Sequence, residues 1–201
     1  MEAMWPVIYR IDSTDQLTYL NAAWSAFADA NEGGALHSDQ VIGRSLWDFL
    51  TDRTTEQLYR DMVQRVRRDG LPIRFRFRCD APGRKRLLAM EIGKDDLDGV
   101  QFVVNSILEE KRRSVLPPAR IANPSNIFLT ICGWCKRVPL ASGEWVEIEE
   151  AIDEKGLFDA GTEPRLTHGM CPMCYEAVVR MLDDPLVSAS GAVTLGEIHA
   201  P

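Results

Sequence analysis

Polar and apolar positions change period several times along the chain, and each change predicts an element. Val7–Asp12 and Leu17–Asn21 are short β-rich runs parted by Ser13-Thr14-Asp15-Gln16, a hairpin signal. Ala22–Asn31 is an Ala-rich amphipathic stretch with Trp24, Phe27 and Ala28 on one face, stopped at Asn31-Glu32-Gly33-Gly34. Gly43–Leu50 reads as a turn into a short helix. Thr54–Asp69 then sets Leu58, Met62, Val63 and Val66 at helical spacing, and Gly70 and Pro72 close it. From Ile73 the period drops to two: Ile73, Phe75, Phe77 and Cys79 share one face of a strand, and Arg74, Arg76 and Arg78 share the other. Arg84–Gly93 and Val100–Ile107 are further β-rich runs, joined by Asp95-Asp96-Leu97-Asp98-Gly99. The order β-β-α-α-α-β-β-β predicts an α+β fold: an antiparallel five-stranded sheet with helices gathered on one face.

The pattern then breaks. Glu109-Glu110-Lys111-Arg112-Arg113 leads into Pro117-Pro118 and Asn123-Pro124, a composition that suits a short helical extension followed by a stiff linker. This divides the chain into a first domain over 1–113, a linker over 114–126, a small module over 127–184 and a small-residue-rich, loose tail over 185–201. Within the module, Ile127–Ile131 reads as extended, Trp145–Ile152 as a short helix or strand, and Pro172–Leu182 as a helix with proline near its start.

Four of the five cysteines lie in that module as two tight pairs, Cys132/Cys135 and Cys171/Cys174, with 35 residues between the pairs. The i, i+3 spacing lets both sulfurs of a knuckle face one point, and two such knuckles close into a tetrahedral thiolate cage. A structural zinc ion then replaces a hydrophobic core that so short a segment cannot build. Iron ranks behind zinc on the same ligand set. A reversible dithiol is the competing reading, because C-x-x-C thiols are also redox motifs. Covalent haem is disfavoured, since Lys136 and Tyr175 stand where its attachment motif wants histidine. His168, three residues before Cys171, is a candidate fourth ligand, but with four thiols available it reads better as a supporting residue. His37 and His199 read as solvent-exposed, and Cys79 as a buried apolar residue.

Charge separates the two parts further. Residues 1–120 carry 18 Lys and Arg against 18 Asp and Glu, whereas residues 121–201 carry 5 against 12 and so hold the whole net charge of −7. An acidic thiolate module cannot neutralise phosphates, so nucleic acid is disfavoured as a partner, and a DNA-binding regulator is the weakest of the readings. No apolar run approaches the length of a membrane span, and MEAMWPVIYR lacks the layout of a signal peptide. The expected location is the cytoplasm, where paired cysteines serve as metal ligands more often than as disulfides.

Residues 5–110 resemble a PAS domain. Ile8–Asp12 followed by Leu17–Trp24 is similar to the first PAS hairpin, which runs into a helix after an asparagine. Val41-Ile42-Gly43-Arg44-Ser45-Leu46-Trp47-Asp48-Phe49-Leu50 is similar to the family's iGrslwd segment. The module resembles a cysteine module that follows PAS, GAF or receiver domains in bacterial signalling proteins and reads I-C-x-x-C-K-K-I…W…E…S-H-G-I-C-P-x-C. The matching stretches are Ile131–Val138, Trp145–Glu149 and Thr167–Cys174, and the chain departs at Thr167 for Ser and Met170 for Ile. The resemblance implies bacterial signalling with an unidentified protein partner. It also implies a sensing or dimerising first domain, and Trp24, Phe27, Trp47, Phe75, Phe77 and Met90 are the candidates to line a ligand pocket there, although aromatics at these periods are more often plain core. A light-sensing cysteine is not expected, because the Asn-Cys-Arg context is missing.

Three expectations complete the reading. Arg74, Arg76 and Arg78 form a basic stripe that is either solvated sheet or a docking surface, for an acidic partner or for the acidic module of the same chain. Met4, Trp5 and Val7, with Leu108–Leu116, are more apolar than exposed flanks require and point to a homodimer. No catalytic residues are assigned: there is no G-x-S-x-G, phosphate loop or H-E-x-x-H, and a closed thiolate site has no open position for substrate.

Overall fold

The structure, a computed structural model, describes residues 5–31, 33–50, 52–81, 83–112, 124–155 and 163–183, with the backbone alone for 124–127, 153–155 and 163–164. The first half begins with β1 (Val7–Ile11) and β2 (Leu17–Leu20), then α1 (Ala22–Ala30), the short α2 (Ser38–Val41) and α3 (Arg53–Asp69). It ends with β3 (Ile73–Arg78), β4 (Arg84–Lys94) and β5 (Val100–Lys111). The five strands form one antiparallel sheet in the order β2-β1-β5-β4-β3.

Local chemistry sets the element ends. Asn21 caps α1, its Oδ1 accepting from the Trp24 N–H at 3.1 Å, and the same atom takes the Ile8 N–H at 3.1 Å, which ties the helix start to β1. Asp52 caps α3 through the Thr55 N–H at 2.8 Å. Gly70 closes that helix at φ 69°, a left-handed position that suits glycine. Period-two alternation turns Ile73 and Phe75 of β3, Leu88, Met90 and Ile92 of β4, and Val100, Phe102 and Val104 of β5 into the core, where Leu58, Met62, Val63 and Val66 of α3 meet them.

The charged segment after Ile107 continues the sheet and does not form the expected helical turn. Glu109 and Glu110 lie opposite Arg86 and Lys85 of β4, and Arg84, across from Lys111, also reaches Glu109, so cross-strand contacts of opposite sign extend β5 where an isolated reading of the charges favours helix. Of the predicted linker, residues 114–123 lie outside the described residues and the last three open the next strand; the predicted tail and Met4 lie outside them too. Trp5 and Val7 are not spare apolar residues. Trp5 packs on Phe27 with ring centroids 5.6 Å apart, and Val7 is buried in the sheet.

The second half is built from β6 (Pro124–Cys132) paired in parallel with β9 (Glu163–Gly169), the two-residue strands β7 (Val138–Pro139) and β8 (Trp145–Val146), α4 (Ile148–Lys155) and α5 (Pro172–Asp183). The stretch read as helix or strand is both: two strand residues, then a helix. Leu129, Val138, Val146 and Ala151 make a small core of their own. The cysteines, Trp134, Val178 and Met181 instead belong to the core of the first half, which runs without a break into the second. Among the described residues no helix is long and apolar enough to cross a membrane.

Candidate metal centre

β6 delivers Cys132 at its last position, and a tight turn brings Cys135 back toward it. Lys136, at φ 62°, donates its N–H to the Cys132 carbonyl at 3.0 Å to close that turn, and the Cys132 N–H donates to the Arg137 carbonyl at 2.9 Å. β9 runs parallel to β6, so Gly169 lies opposite Cys132 and the chain enters the second knuckle directly beside the first. The Gly133 N–H bonds to the Gly169 carbonyl at 2.8 Å, stitching the two knuckles together. Pro172 then opens α5, where its missing N–H costs nothing, and Cys171 stands at the cap position.

The four cysteine sulfurs lie within 4.8 Å of one another, and all four residues are buried. The Cys135 and Cys171 sulfurs are 3.7 Å apart. A regular tetrahedron of sulfurs at about 2.3 Å from a central ion has edges of roughly 3.8 Å, so this separation is that of two ligands of one ion. Backbone N–H groups already point at sulfur: Cys171 N–H to the Cys132 sulfur and Cys174 N–H to the Cys171 sulfur, each at 3.4 Å. The positive end of α5 lies at the same place. Contacts with Cys135, Cys171 and Cys174 hold the Cys132 thiol well below its ordinary value, while those with Cys132 push Cys135 and Cys174 up. The donor set thus fits a metal ion. Cys132, Cys135, Cys171 and Cys174 would supply four thiolates, and the ion would supply the tie between β6, β9 and α5 that the small core lacks. His168, opposite Ile131 in the ladder, is exposed and outside the sulfur cluster.

The arginines of β3 part company. Arg74 pairs with Glu91, its cross-strand neighbour, at 2.6 Å, and Arg76 is exposed opposite Ala89. Arg78 is 4% exposed, gripped by Asp80 and, at 2.5 Å, by Glu147 just before α4. The three therefore do not form one surface stripe: the cysteine half lies over the last and leaves the middle one in water. Burial alone would lower the Arg78 pKa, but Asp80 and Glu147 outweigh it and hold the guanidinium charged. Lys85 reaches Glu147 at 3.3 Å and Glu149 at 3.4 Å, Arg112 reaches Glu149 at 3.1 Å and Asp80 at 3.2 Å, and Arg137 stands 3.5 Å from Glu147. Arg65 of α3 donates to the Met181 carbonyl at 2.9 Å and to the Leu182 carbonyl, capping the end of α5.

The pocket candidates divide likewise. Trp24 and Trp47 are half-buried and held by their indole N–H groups, on the Leu36 carbonyl at 2.6 Å and on Asp15 at 2.7 Å. Phe27 packs on Trp5 and lies under the Arg86 guanidinium at 5.4 Å. Phe75 and Met90 are buried side by side in the β3–β4 register, Phe77 next to them is half-buried, and Trp134 of the first knuckle stacks on Phe75 with centroids 4.5 Å apart. Cys79, just past the end of β3, is half-buried, and burial pushes its thiol up. His37 is half-buried, with a ring nitrogen 2.9 Å from Asp29, and His199 lies outside the described residues. Sequence reading missed Trp134, Asp80, Lys85, Arg112 and Arg65. For Trp134 a signal was present: a large aromatic inside a knuckle needs an apolar surface to rest on.

No family model matches the chain, and no curated protein does. Among solved structures it is similar to the PAS domain from Bordetella pertussis BvgS, at 17% identity and a TM-score of 0.34, over 51% of this chain and 72% of that one.

Proposed function

We propose that the chain is a bacterial signalling or regulatory protein that acts by binding. In this reading the PAS-like first half senses a small ligand or dimerises, and the cysteine half is a structural zinc module that docks a protein partner. One observation carries the reading: four buried sulfurs, brought together from two knuckles, at the spacing of ligands around one ion. Zinc is preferred because an all-thiolate tetrahedral cage with no open position is its structural habit, and no redox change is needed to explain the fold. The same closure argues for docking in place of catalysis. An acidic module suits a protein partner with a basic face better than nucleic acid. Ile107 and Leu108, exposed in the second half of β5, supply apolar surface for a second copy.

Metal analysis of protein purified without added metal is the test. One zinc per chain, lost when Cys132 or Cys174 becomes Ser, supports the reading; freshly reduced protein with neither zinc nor iron overturns it. The thiol redox sensor is the rival, and the burial of all four cysteines weighs against it, because peroxide needs an accessible thiolate. Rapid, reversible metal release with disulfide formation under mild peroxide would favour that rival. Light scattering at high protein concentration tests the dimer.

A further inference from the structure

Trp134 lies between the two cysteines of the first knuckle, yet its side chain belongs to the other half of the molecule. It is 2% exposed. Its ring stacks on Phe75 at 4.5 Å and 19°, and Tyr59 of α3 stands edge-on to both rings, 6.4 Å from Trp134 and 6.0 Å from Phe75. The Tyr59 hydroxyl meets the Met90 sulfur at 3.7 Å, which closes the group. The backbone makes the same crossing: the Arg78 N–H, at the end of edge strand β3, donates to the Trp134 carbonyl at 2.7 Å.

We infer that Trp134 couples the metal centre to the sheet, so that metal occupancy decides whether the Phe75 end of the core is covered. The inference rests on reading the four cysteines as a metal centre. The indole is held in place by a knuckle whose shape comes from its sulfurs and a few hydrogen bonds, and among the described residues the cysteine half has only a small buried apolar cluster of its own to fall back on. A segment with so small a core cannot keep its conformation when the ion leaves. Loss of metal then withdraws the indole, uncovers Phe75, Tyr59 and Met90, and leaves the Arg78 N–H without its carbonyl. The sheet half thereby acquires an apolar patch beside an open strand end. Coupling between two sites is reciprocal, so a change at Phe75 must also weaken metal binding at sulfurs it does not touch.

The test uses the full chain loaded with zinc. Amide exchange over residues 73–79 is followed before and after a chelator strips the ion, and zinc affinity is measured by competition for the wild type, Phe75→Leu and Trp134→Phe. Stripping should speed exchange over 73–79 while residues 7–20 stay protected. Phe75→Leu should weaken zinc binding by about 5- to 150-fold, the usual range of site-to-site coupling, and Trp134→Phe by less, because a ring remains. If zinc is removed and exchange over 73–79 does not change, the coupling is overturned while the metal centre stands. Should the chain bind no divalent ion at all, the metal-centre reading falls and the coupling with it. The wild-type exchange measurement needs no variant, so a Phe75→Leu chain that fails to fold leaves the test intact.

Discussion

The two halves of the molecule are ordered by different means. The sheet half closes five strands over α1 and α3, with Ile11, Leu17, Met62, Phe75, Ile92 and Phe102 each at 2% exposure or less. The cysteine half is shorter and, among the described residues, has two two-stranded sheets, two helices and a small cluster of buried apolar residues of its own. What completes it is the sulfur cluster on one side and the sheet half on the other, through Trp134, Arg78, Lys85, Arg112 and Arg65. A sheet that buries one face over 11-residue β4 and 12-residue β5 supports itself. A two-residue strand pair does not, and chemistry stands in for area.

The largest expected effect breaks that contrast at the sulfurs. Replacing Cys132 or Cys171 by Ser, or stripping the ion, removes a binding free energy that in small zinc modules is about 10–16 kcal/mol and is the same quantity as their folding free energy. Exchange and proteolysis should show residues 127–182 opened, while β1, β2 and α1 keep their protection. A cysteine half that stays protected without metal would mean that its contacts with the sheet suffice. The complementary break is Ile11→Ala, at 1% exposure in β1, which β5 and β4 separate from the β3 edge that meets Trp134. It should cost about 2–5 kcal/mol in denaturant unfolding and leave the metal content unchanged.

Sequence periodicity reached the sheet half nearly whole, because one face of every long element is buried and the pattern records it: the helix read over Thr54–Asp69 runs Arg53–Asp69, and the strand read over Arg84–Gly93 runs Arg84–Lys94. The sulfur cluster was legible for another reason, since two C-x-x-C pairs carry their geometry in their spacing. What escaped was everything that depends on where one half meets the other. Arg78 has the alternation of an outward residue and is buried all the same, because Glu147, 69 positions later, comes down on it. Glu109–Lys111 looked like the start of a helix because its strand partners lie on β4, more than twenty residues earlier. Trp134 could be seen in a knuckle, but not the Phe75 it rests on. Long-range pairing leaves no local period.

An intermediate effect sharpens the contrast at the charged seam. Arg78 and Asp80 have side chains 5% and 7% exposed, so Arg78→Leu leaves the buried Asp80 carboxylate with Arg112 as its remaining cation, at 3.2 Å, and should cost at most about 3–5 kcal/mol, the cost of breaking a buried pair. Salt should not imitate the mutation, because ions screen buried pairs weakly. Acid should. Burial alone would raise the Glu147 pKa, but Arg78 and then Lys85 overcome it and hold the carboxyl below its ordinary 4.5. A depressed folded value means the pair's stabilisation is complete above the unfolded value and is lost as pH falls through the lower, folded one. Loosening of the cysteine half in a pH titration should therefore begin below about pH 4.5 and be absent in Glu147→Gln, which has already lost the charge.

The smallest effect lies at Arg76, midway between two arginines that matter more. From sequence, the stripe it centres is either solvated sheet or a docking surface, for an acidic partner or for the acidic module, and in the last case reversing Arg76 to Glu would part the halves. In the structure Arg74 is already paired with Glu91, Arg78 is enclosed by Asp80 and Glu147, and Arg76 faces water across from Ala89. An exposed charge among satisfied neighbours contributes little, and surface substitutions of this kind stay within about 0.5 kcal/mol. Arg76→Glu should therefore leave unfolding, metal content and protease sensitivity of the 114–126 segment as in the wild type, at low and at high salt. A clear loss of protection in the cysteine half of this variant would show that the seam extends past Arg78 along β3, and the two halves would then share a strand face and not a strand end.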